Sequence, residues 1–390
     1  MGKQPPANSL LNSLNEKENF YPLSLSWCAD CNLVQLNETI DPKKLFSEYV
    51  WVTATSKTAR EFSEVFCQEL ISRTKNPKEG YVLEVASNDG TFLLPFIRQG
   101  YKVLGIDPAK NLAETAESQN VPTKCAFFGK ETAKLLLEER GPAKMIFARN
   151  VLPHVANTRD FIEGLQICLD DEGTLAIEAH YAKKILEELH YDSIYHEHLC
   201  YFTLKSLEAL LNEFGLFIFD ITESPISGGS LIVYARKERI KEKPIVQWFR
   251  DQEEENRINK FSVWQEFARQ AFFHKEQLLD ILRTISRQGK TIAGYGASAR
   301  SSTLLNFCGI DSGLISMIAD KNPLKQKLFT AGSHIPINSP EVVMGTKPDY
   351  VFIMAWNFAQ EITDSLKNKF NYRGGVIMPL PHKPHLKETI

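Results

Sequence analysis

Hydrophobic positions along the chain switch between two periods. From residue 57 to 75, Phe62, Val65, Phe66, Leu70 and Ile71 recur at three-to-four spacing, which predicts an amphipathic helix. The run Gly80-Tyr81-Val82-Leu83-Glu84-Val85-Ala86 is nearly continuous in apolar residues and predicts a buried strand. The turn Ser87-Asn88-Asp89-Gly90-Thr91 and a helix from Phe92 to Gln99 follow, then a strand over 102–106 that ends in Asp107. The alternation continues: a helix through Ala113 to Ser118, a strand segment ending at Ala126–Gly129, and a strand from Lys144 to Leu152. A helix over Thr158–Leu169, a strand over Gly173–Ala179 and a helix capped by Thr203 and ended by Gly215 come next. Phe217–Asp220 and Ser230–Tyr234 predict two more strands, closing the sheet antiparallel.

Strands alternating with helices predict an α/β fold with a parallel, doubly wound sheet. The pattern restarts after a charged helical stretch whose apolar face carries Trp248, Phe261, Trp264, Phe267 and Phe272. Strands are expected over 290–295, from Leu314 to Asp320, over Tyr350–Ala355 and over Gly374–Pro379, with a glycine turn and helix after the first. This is a second Rossmann-like unit. The expected division is a small N-terminal segment over 1–56, a first α/β domain over 57–237, a helical connector over 238–288 and a C-terminal Rossmann-like domain over 289–390.

Composition narrows the partners. At 390 residues the chain has room for two or three domains of ~150 residues. A net charge of −3 gives no electrostatic reason to bind nucleic acid or an anionic membrane. No apolar run reaches the ~18 residues of a membrane span, and no basic-then-apolar leader opens the chain. Seven dispersed cysteines, an odd number, suit reduced thiols in a cytoplasmic protein. Cys28-Ala29-Asp30-Cys31 aims two thiolates at one point, which is half of a tetrahedral zinc site.

Ligands of open α/β sheets bind outside the carboxyl ends of the strands. In the first unit that rim carries Glu84, Ala86, Asn88 and Asp89 in the turn, and Asp107-Pro108, where an acid can accept two ribose hydroxyls. The layout suits a dinucleotide or S-adenosylmethionine (SAM); the Gly-x-Gly-x-x-Gly of dinucleotide enzymes is missing from this turn. Asn150 lies near the end of the strand over 144–152 and His154 just past it, and His180 and Tyr181 follow the strand over 173–179. Tyr195-His196-Glu197-His198 then packs a phenol, two imidazoles and a carboxylate into consecutive positions, in a chain with nine histidines. The bland reading of that stretch is a polar loop, and a lone histidine is usually structural. The shared rim favours a site. Gly228-Gly229-Ser230 suits either a bound polar group or a plain turn. In the second unit, Arg300 and the hydroxyls of Ser298, Ser301 and Thr303 at a helix N-terminus make a diphosphate site.

The form Glu84-x-Ala86-Ser87-Asn88-Asp89-Gly90 resembles motif I of class I SAM-dependent methyltransferases, with Ala86 in place of the motif's glycine. Nearly the whole chain resembles the SAM-dependent C-methyltransferases of deoxysugar biosynthesis, which act on nucleotide-linked keto-sugars. The resemblance rests on Cys28-x-x-Cys31 with Val34-Gln35-Leu36, Phe46-x-x-Tyr49, Ser87–Gly90, Asn150-Val151-Leu152-x-His154, Tyr195–His198, Gly229-Ser230-Leu231, Gly294–Ala297 and Trp356-Asn357 with Glu361. It implies a class I SAM domain holding the cofactor through Glu84, Ala86, Asn88, Asp89, Asp107, Pro108 and Asn150. It implies a C-terminal Rossmann-like domain holding the sugar nucleotide through Ser230, Tyr295, Gly296, Ser298, Arg300, Thr303, Asp320, Trp356 and Asn357. It implies His198 as the base, oriented or modulated by Glu197, with Tyr195 and His154 as enolate donors, Tyr49 completing the pocket and His196 packing. A zinc domain is also implied. The family's first Cys-x-x-Cys precedes the segment matched by Pro5-Pro6, so Cys28 and Cys31 are expected to form a half-site only. The rivals are an NAD-dependent oxidoreductase or epimerase of sugar nucleotides, and an inactive nucleotide-binding protein. Composition and pattern leave the nucleotide, the sugar, the stereochemistry and the oligomeric state open.

Overall fold

The computed structural model describes residues 1–224 and 226–389. Its first sheet has seven strands: β1 Tyr81–Val85, β2 Lys102–Asp107, β3 Thr123–Cys125, β4 Ala143–Arg149, β5 Leu169–His180, β6 Phe217–Ser224 and β7 Ser230–Arg236. Their spatial order is β6-β7-β5-β4-β1-β2-β3. β1 to β5 run parallel, while β7 is antiparallel to both β5 and β6. The antiparallel closure expected from the pattern is present. The order turns back on itself between β1 and β4, and that reversal opens the crevice where a ligand can sit.

Alternate residues of these strands face two helical layers. Leu83, Val85, Ile106, Ile146 and Ile177 belong to one apolar cluster, and Val82, Val103, Met145, Phe147 and Ala176 to the other. Within the second cluster, Phe147 meets Phe66 edge-to-face and stacks on Phe96, with centroid separations of 5.1 and 5.7 Å. Phe66 lies on the helix α1, Lys57–Ser72, which Ser56 caps by accepting a hydrogen bond from the Ala59 amide. Truncating Phe147 to Ala would cost about 3–5 kcal/mol.

The second sheet has strands β8 Ile292–Tyr295, β9 Ile318–Ala319, β10 Ile337–Asn338, β11 Tyr350–Ile353, β12 Gly375–Met378 and β13 His385–Lys387. Their order is β10-β9-β8-β11-β12-β13, parallel except for β13. The chain pattern left β10 and β13 unmarked. They are two and three residues long, too short to show a period.

The charged stretch between the sheets forms two helices, α2 Pro244–Glu255 and α3 Phe261–Arg287. Leu278, Leu282 and Ile285 of α3 share one continuous apolar cluster with Tyr191 and Ile194 on one side and Leu304 and Phe307 on the other. The helix is therefore a strut inside the core as well as a bridge. The N-terminal segment is also tied in: Leu25–Trp27 pairs with Val34–Leu36, which pairs in turn with Cys200–Tyr201. Leu11 bridges to Phe329 of the C-terminal half.

Candidate active site

The turn after β1 brings the backbone close to β2. Ala86, Asn88 and Gly90 have φ of 59°, 52° and 78°, so the chain coils left-handed three times in five residues. Gly105 of β2 lies beneath it, and a Cβ there would strike the Ser87 hydroxyl. Asp107, at the carboxyl end of β2, accepts hydrogen bonds from the Asn88 amide and the Ala109 amide, both at 2.8 Å. Burial pushes the Asp107 carboxyl up, and those amides oppose the shift. Each oxygen accepts one of these bonds and keeps a second lone pair for a ribose hydroxyl. Glu84 Oε2 and Ser87 Oγ are buried without a protein partner. Turn, acid and orphaned oxygens together fit the adenosine half of SAM.

The side chains of Asn88 and Asp89 face the N-terminal segment. Asn88 bonds to Thr53 N and Trp51 O, each at 3.0 Å, and Asp89 accepts from Ala54 N at 2.9 Å. Asn150, at the end of β4, bonds through its amide to Glu178 O at 2.8 Å and accepts from the Ser230 hydroxyl at 3.5 Å.

On the same rim, every residue from His190 to Cys200 is buried. His198 Nδ1 lies 2.7 Å from the Ser193 carbonyl oxygen and Nε2 lies 2.6 Å from Tyr195 Oη. A carbonyl only accepts, so Nδ1 carries the proton; Nε2 then holds the lone pair and accepts from the phenol. His154 and His180 crowd the ring, with centroids at 4.9 and 4.4 Å. Burial, and then the neighbouring imidazoles, hold His198 well below its ordinary range; burial also depresses His180 and takes His154 down to about 4. Burial and the nearby Glu197 carboxylate hold the Tyr195 phenol well above its usual value. The site thus contains a neutral phenol donating to a neutral imidazole.

Glu197 departs from the sequence-based expectation. Its carboxylate accepts from Asn8 Nδ2 at 2.6 Å and from Tyr49 Oη at 3.0 Å, while the two His198 ring nitrogens are held by Ser193 and Tyr195. Residues 195–198 form a tight turn closed by the His198 amide on the Tyr195 carbonyl, and it sends the Glu197 side chain toward the N-terminal segment. Burial raises the Glu197 carboxyl to about 7. Tyr49 is held by paired backbone bonds to Asn111, and Phe46 places its ring edge-on to His154 at 5.6 Å. His196 packs, as expected: its ring meets Tyr21 and bonds to Pro22 O at 3.1 Å.

The C-terminal residues also differ from expectation. Ser298 caps its own helix, α4 Ala299–Cys308, and Ser301 Oγ donates to Ser298 O at 2.7 Å. Thr303 Oγ1 donates to Ile194 O at 3.0 Å, and Trp356 Nε1 donates to Asp192 Oδ2 at 2.7 Å. Arg300 is buried, lies over the Trp356 ring and approaches Asp192 Oδ1 at 3.9 Å. Of the hydroxyls expected at a diphosphate, that of Thr303 is turned to the 191–194 turn, while those of Ser298 and Ser301 close the first turn of α4. Asp320 repeats the arrangement of Asp107, accepting from Ala297 N and Asn322 N at 2.8 Å. Gly296, at φ 94°, brings the turn against Ala355. Tyr295 lines a hollow of about 260 Å³ with Lys321, Gln326 and Lys369, and Asn357, half-buried, lies in the turn Trp356–Phe358. A second hollow of about 270 Å³, lined by Leu186, Leu189 and Phe267, lies away from the imidazoles.

Sequence reasoning placed His180 on the rim without a role and missed Asn8, Asp192 and the Ser193 carbonyl. Asn8 and Asp192 belong to no local motif. Cys28 and Cys31 sit in the hairpin between Trp27 and Val34, where Asn32 N bonds to Cys28 O at 3.0 Å. Among the described residues no three His, Cys, Asp or Glu side chains converge as a metal site. The residues present therefore do not fit a four-coordinate zinc, and no described helix is long and apolar enough to cross a membrane.

Comparison with known proteins gives matches to three family models. Residues 225–381 match a C-methyltransferase C-terminal domain, residues 59–219 a methyltransferase domain and residues 1–46 a zinc binding domain. The C-methyltransferase NovU of Streptomyces niveus is 32% identical over 384 residues, covering 97% of this chain and 91% of that protein. Among solved structures, the Synechocystis magnesium protoporphyrin IX methyltransferase with bound SAM is 15% identical over 45% of this chain and 78% of its own, with a TM-score of 0.35. A SAM-dependent methyltransferase from Thermotoga maritima is 14% identical over 46% of this chain and 91% of its own, also at 0.35.

Proposed function

The chain belongs to the C-methyltransferase family, and on that premise we propose that it methylates a carbon next to the ketone of a nucleotide-linked 4-keto-deoxysugar. When bound, SAM supplies an electrophilic methyl group on a sulfonium. Asp107, with the turn around Ala86 and Asn88, would hold its adenosine half.

A carbon next to a ketone carries an acidifiable proton. His198 Nε2 is the base, because Nδ1 is already occupied by its proton and the Ser193 carbonyl. As the C–H proton passes to Nε2, its bonding pair becomes the enolate. The Tyr195 hydroxyl turns from Nε2 to the enolate oxygen, and His154 is a second donor there. With SAM bound, the enolate carbon would take the methyl group as the S–CH3 bond breaks and leaves a neutral thioether. Burial alone makes His198 a weak base, but an anion forming beside it favours the imidazolium. The nucleotide would lie at the carboxyl edge of the second sheet, near Gly296, Asp320 and the Tyr295 hollow.

The observation that carries this reading is the Tyr195–His198 hydrogen bond of 2.6 Å on the rim of a methyltransferase sheet. Incubation with SAM and a dTDP-linked 4-keto sugar tests it. A product heavier by one methylene, on the carbon that exchanges deuterium from solvent, is expected. Consumption of NAD instead, or methylation on oxygen, would sink the proposal.

A further inference from the structure

Tyr191–Ser193 forms a single tight turn that is held from outside its own unit. Tyr191 Oη meets His274 Nδ1 at 2.9 Å, and His274 Nε2 meets the Pro379 carbonyl at 2.6 Å. That carbonyl fixes the His274 proton on Nε2, so the Tyr191 phenol is the donor. Next along, Asp192 accepts from Trp356 Nε1 and Ile194 O accepts from Thr303 Oγ1. Three successive contacts thus flank Ser193, all from residues of α3 or the C-terminal unit. The Ser193 carbonyl between them is the atom that keeps the proton of His198 on Nδ1.

We propose that the C-terminal half positions the base: Thr303 and Trp356 hold the 191–194 turn and thereby fix the Ser193 carbonyl that selects the His198 tautomer. They are positioning residues, acting through Ser193. Both are residues the family resemblance implies at the substrate, yet both donors turn toward the 191–194 turn. A small rotation of the Ser193 carbonyl frees Nδ1, and the lone pair and the proton can then exchange ring positions. Misplacement of a reacting group by about 1 Å costs on the order of a hundredfold in rate. The inference rests on the reading of His198 as the base.

Thr303→Val keeps shape and removes one donor; Trp356→Phe removes the other donor together with one ring of the indole; Thr303→Ser keeps its donor. Histidine ¹⁵N shifts in the full chain report the His198 tautomer with no substrate present. We expect a single Nδ1–H form in the parent and in Thr303→Ser, and a mixture in Thr303→Val and Trp356→Phe. With SAM and a dTDP-linked 4-keto sugar, kcat should fall roughly tenfold or more in those two variants, with KM for SAM unchanged. A folded Thr303→Val/Trp356→Phe double variant with the parent tautomer and the parent kcat would overturn the proposal. His198→Asn with full turnover would instead remove the base assignment, and the tautomer measurement would still decide whether the turn is held from the C-terminal side.

Discussion

Tyr195 Oη donates to His198 Nε2 at 2.6 Å, and the two rings, tilted by 34°, lie 3.9 Å apart at their centroids. The direction of that bond is set by the Ser193 carbonyl on the other ring nitrogen. Phenol and imidazole therefore form one unit with a defined proton order. Removing the hydroxyl and removing the imidazole should have different effects.

Tyr195→Phe keeps the ring contact and loses the proposed enolate donor. Its kcat should fall by roughly 10²-fold or more, with His198→Asn losing more because the base itself is gone. SAM affinity, measured by calorimetry, should be unchanged in both. Equal turnover of Tyr195→Phe and the parent would remove the phenol from the mechanism.

Stability should decline in acid. His154 is depressed from 6.5 to about 4, and His180 and His198 lie well below 6.5. In the unfolded chain they take up protons near the ordinary value, so below it the unfolded state binds more protons and folding weakens as pH falls. Each such group contributes a slope of up to about 1.4 kcal/mol per pH unit. Urea unfolding followed from neutral pH downward should show this loss, and His154→Phe should make it shallower.

Glu197 works in the opposite sense. Its carboxyl is raised from 4.5 to about 7, so between those values the folded chain holds the extra proton. Its contribution is fully favourable below 4.5 and is lost as pH rises to about 7. Glu197→Gln should remove that component from the stability profile. A profile identical to the parent would mean that the carboxyl is not raised.

Ala86 occupies a left-handed position at φ 59°, where an L side chain costs about 1–2 kcal/mol relative to glycine. Glycine gives back part of that gain through the unfolded chain. Ala86→Gly should therefore raise stability by roughly 0.5 kcal/mol and leave SAM binding intact. Denaturant midpoints resolve a change of this size.

Gly296 is the reverse case. At φ 94° and pressed against Ala355, it has neither the backbone angle nor the space for a side chain. Gly296→Ala should cost about 1–3 kcal/mol and loosen the second sheet. Amide exchange in β8 and β11 should rise first.

Periodicity and turn chemistry made the two sheets legible in the sequence. Continuous apolar runs marked β1, β2, β4 and β8, and Asp107 and Asp320 stand at strand ends where the rule for open sheets puts ligands. The stretch Tyr195–His198 and the isolated His154 were also legible as rim residues, because each follows a strand exit.

Local pattern could not show which side chains meet. Glu197 is adjacent to His198 in sequence but bonds to Asn8 and Tyr49, brought in by the N-terminal segment. Thr303 and Trp356 were legible as polar or aromatic residues at a nucleotide-type rim, yet their donors reach the 191–194 turn. The sequence by itself determined the longer strands of both sheets and the chemical types on the rim, since these depend on local period and turn residues. The tertiary structure decided the partners and the proton order of the imidazole. The partners of Glu197, Thr303 and Trp356 lie more than a hundred residues away, and the proton order rests on the direction of the Ser193 carbonyl in a folded turn; neither leaves a periodic trace along the chain.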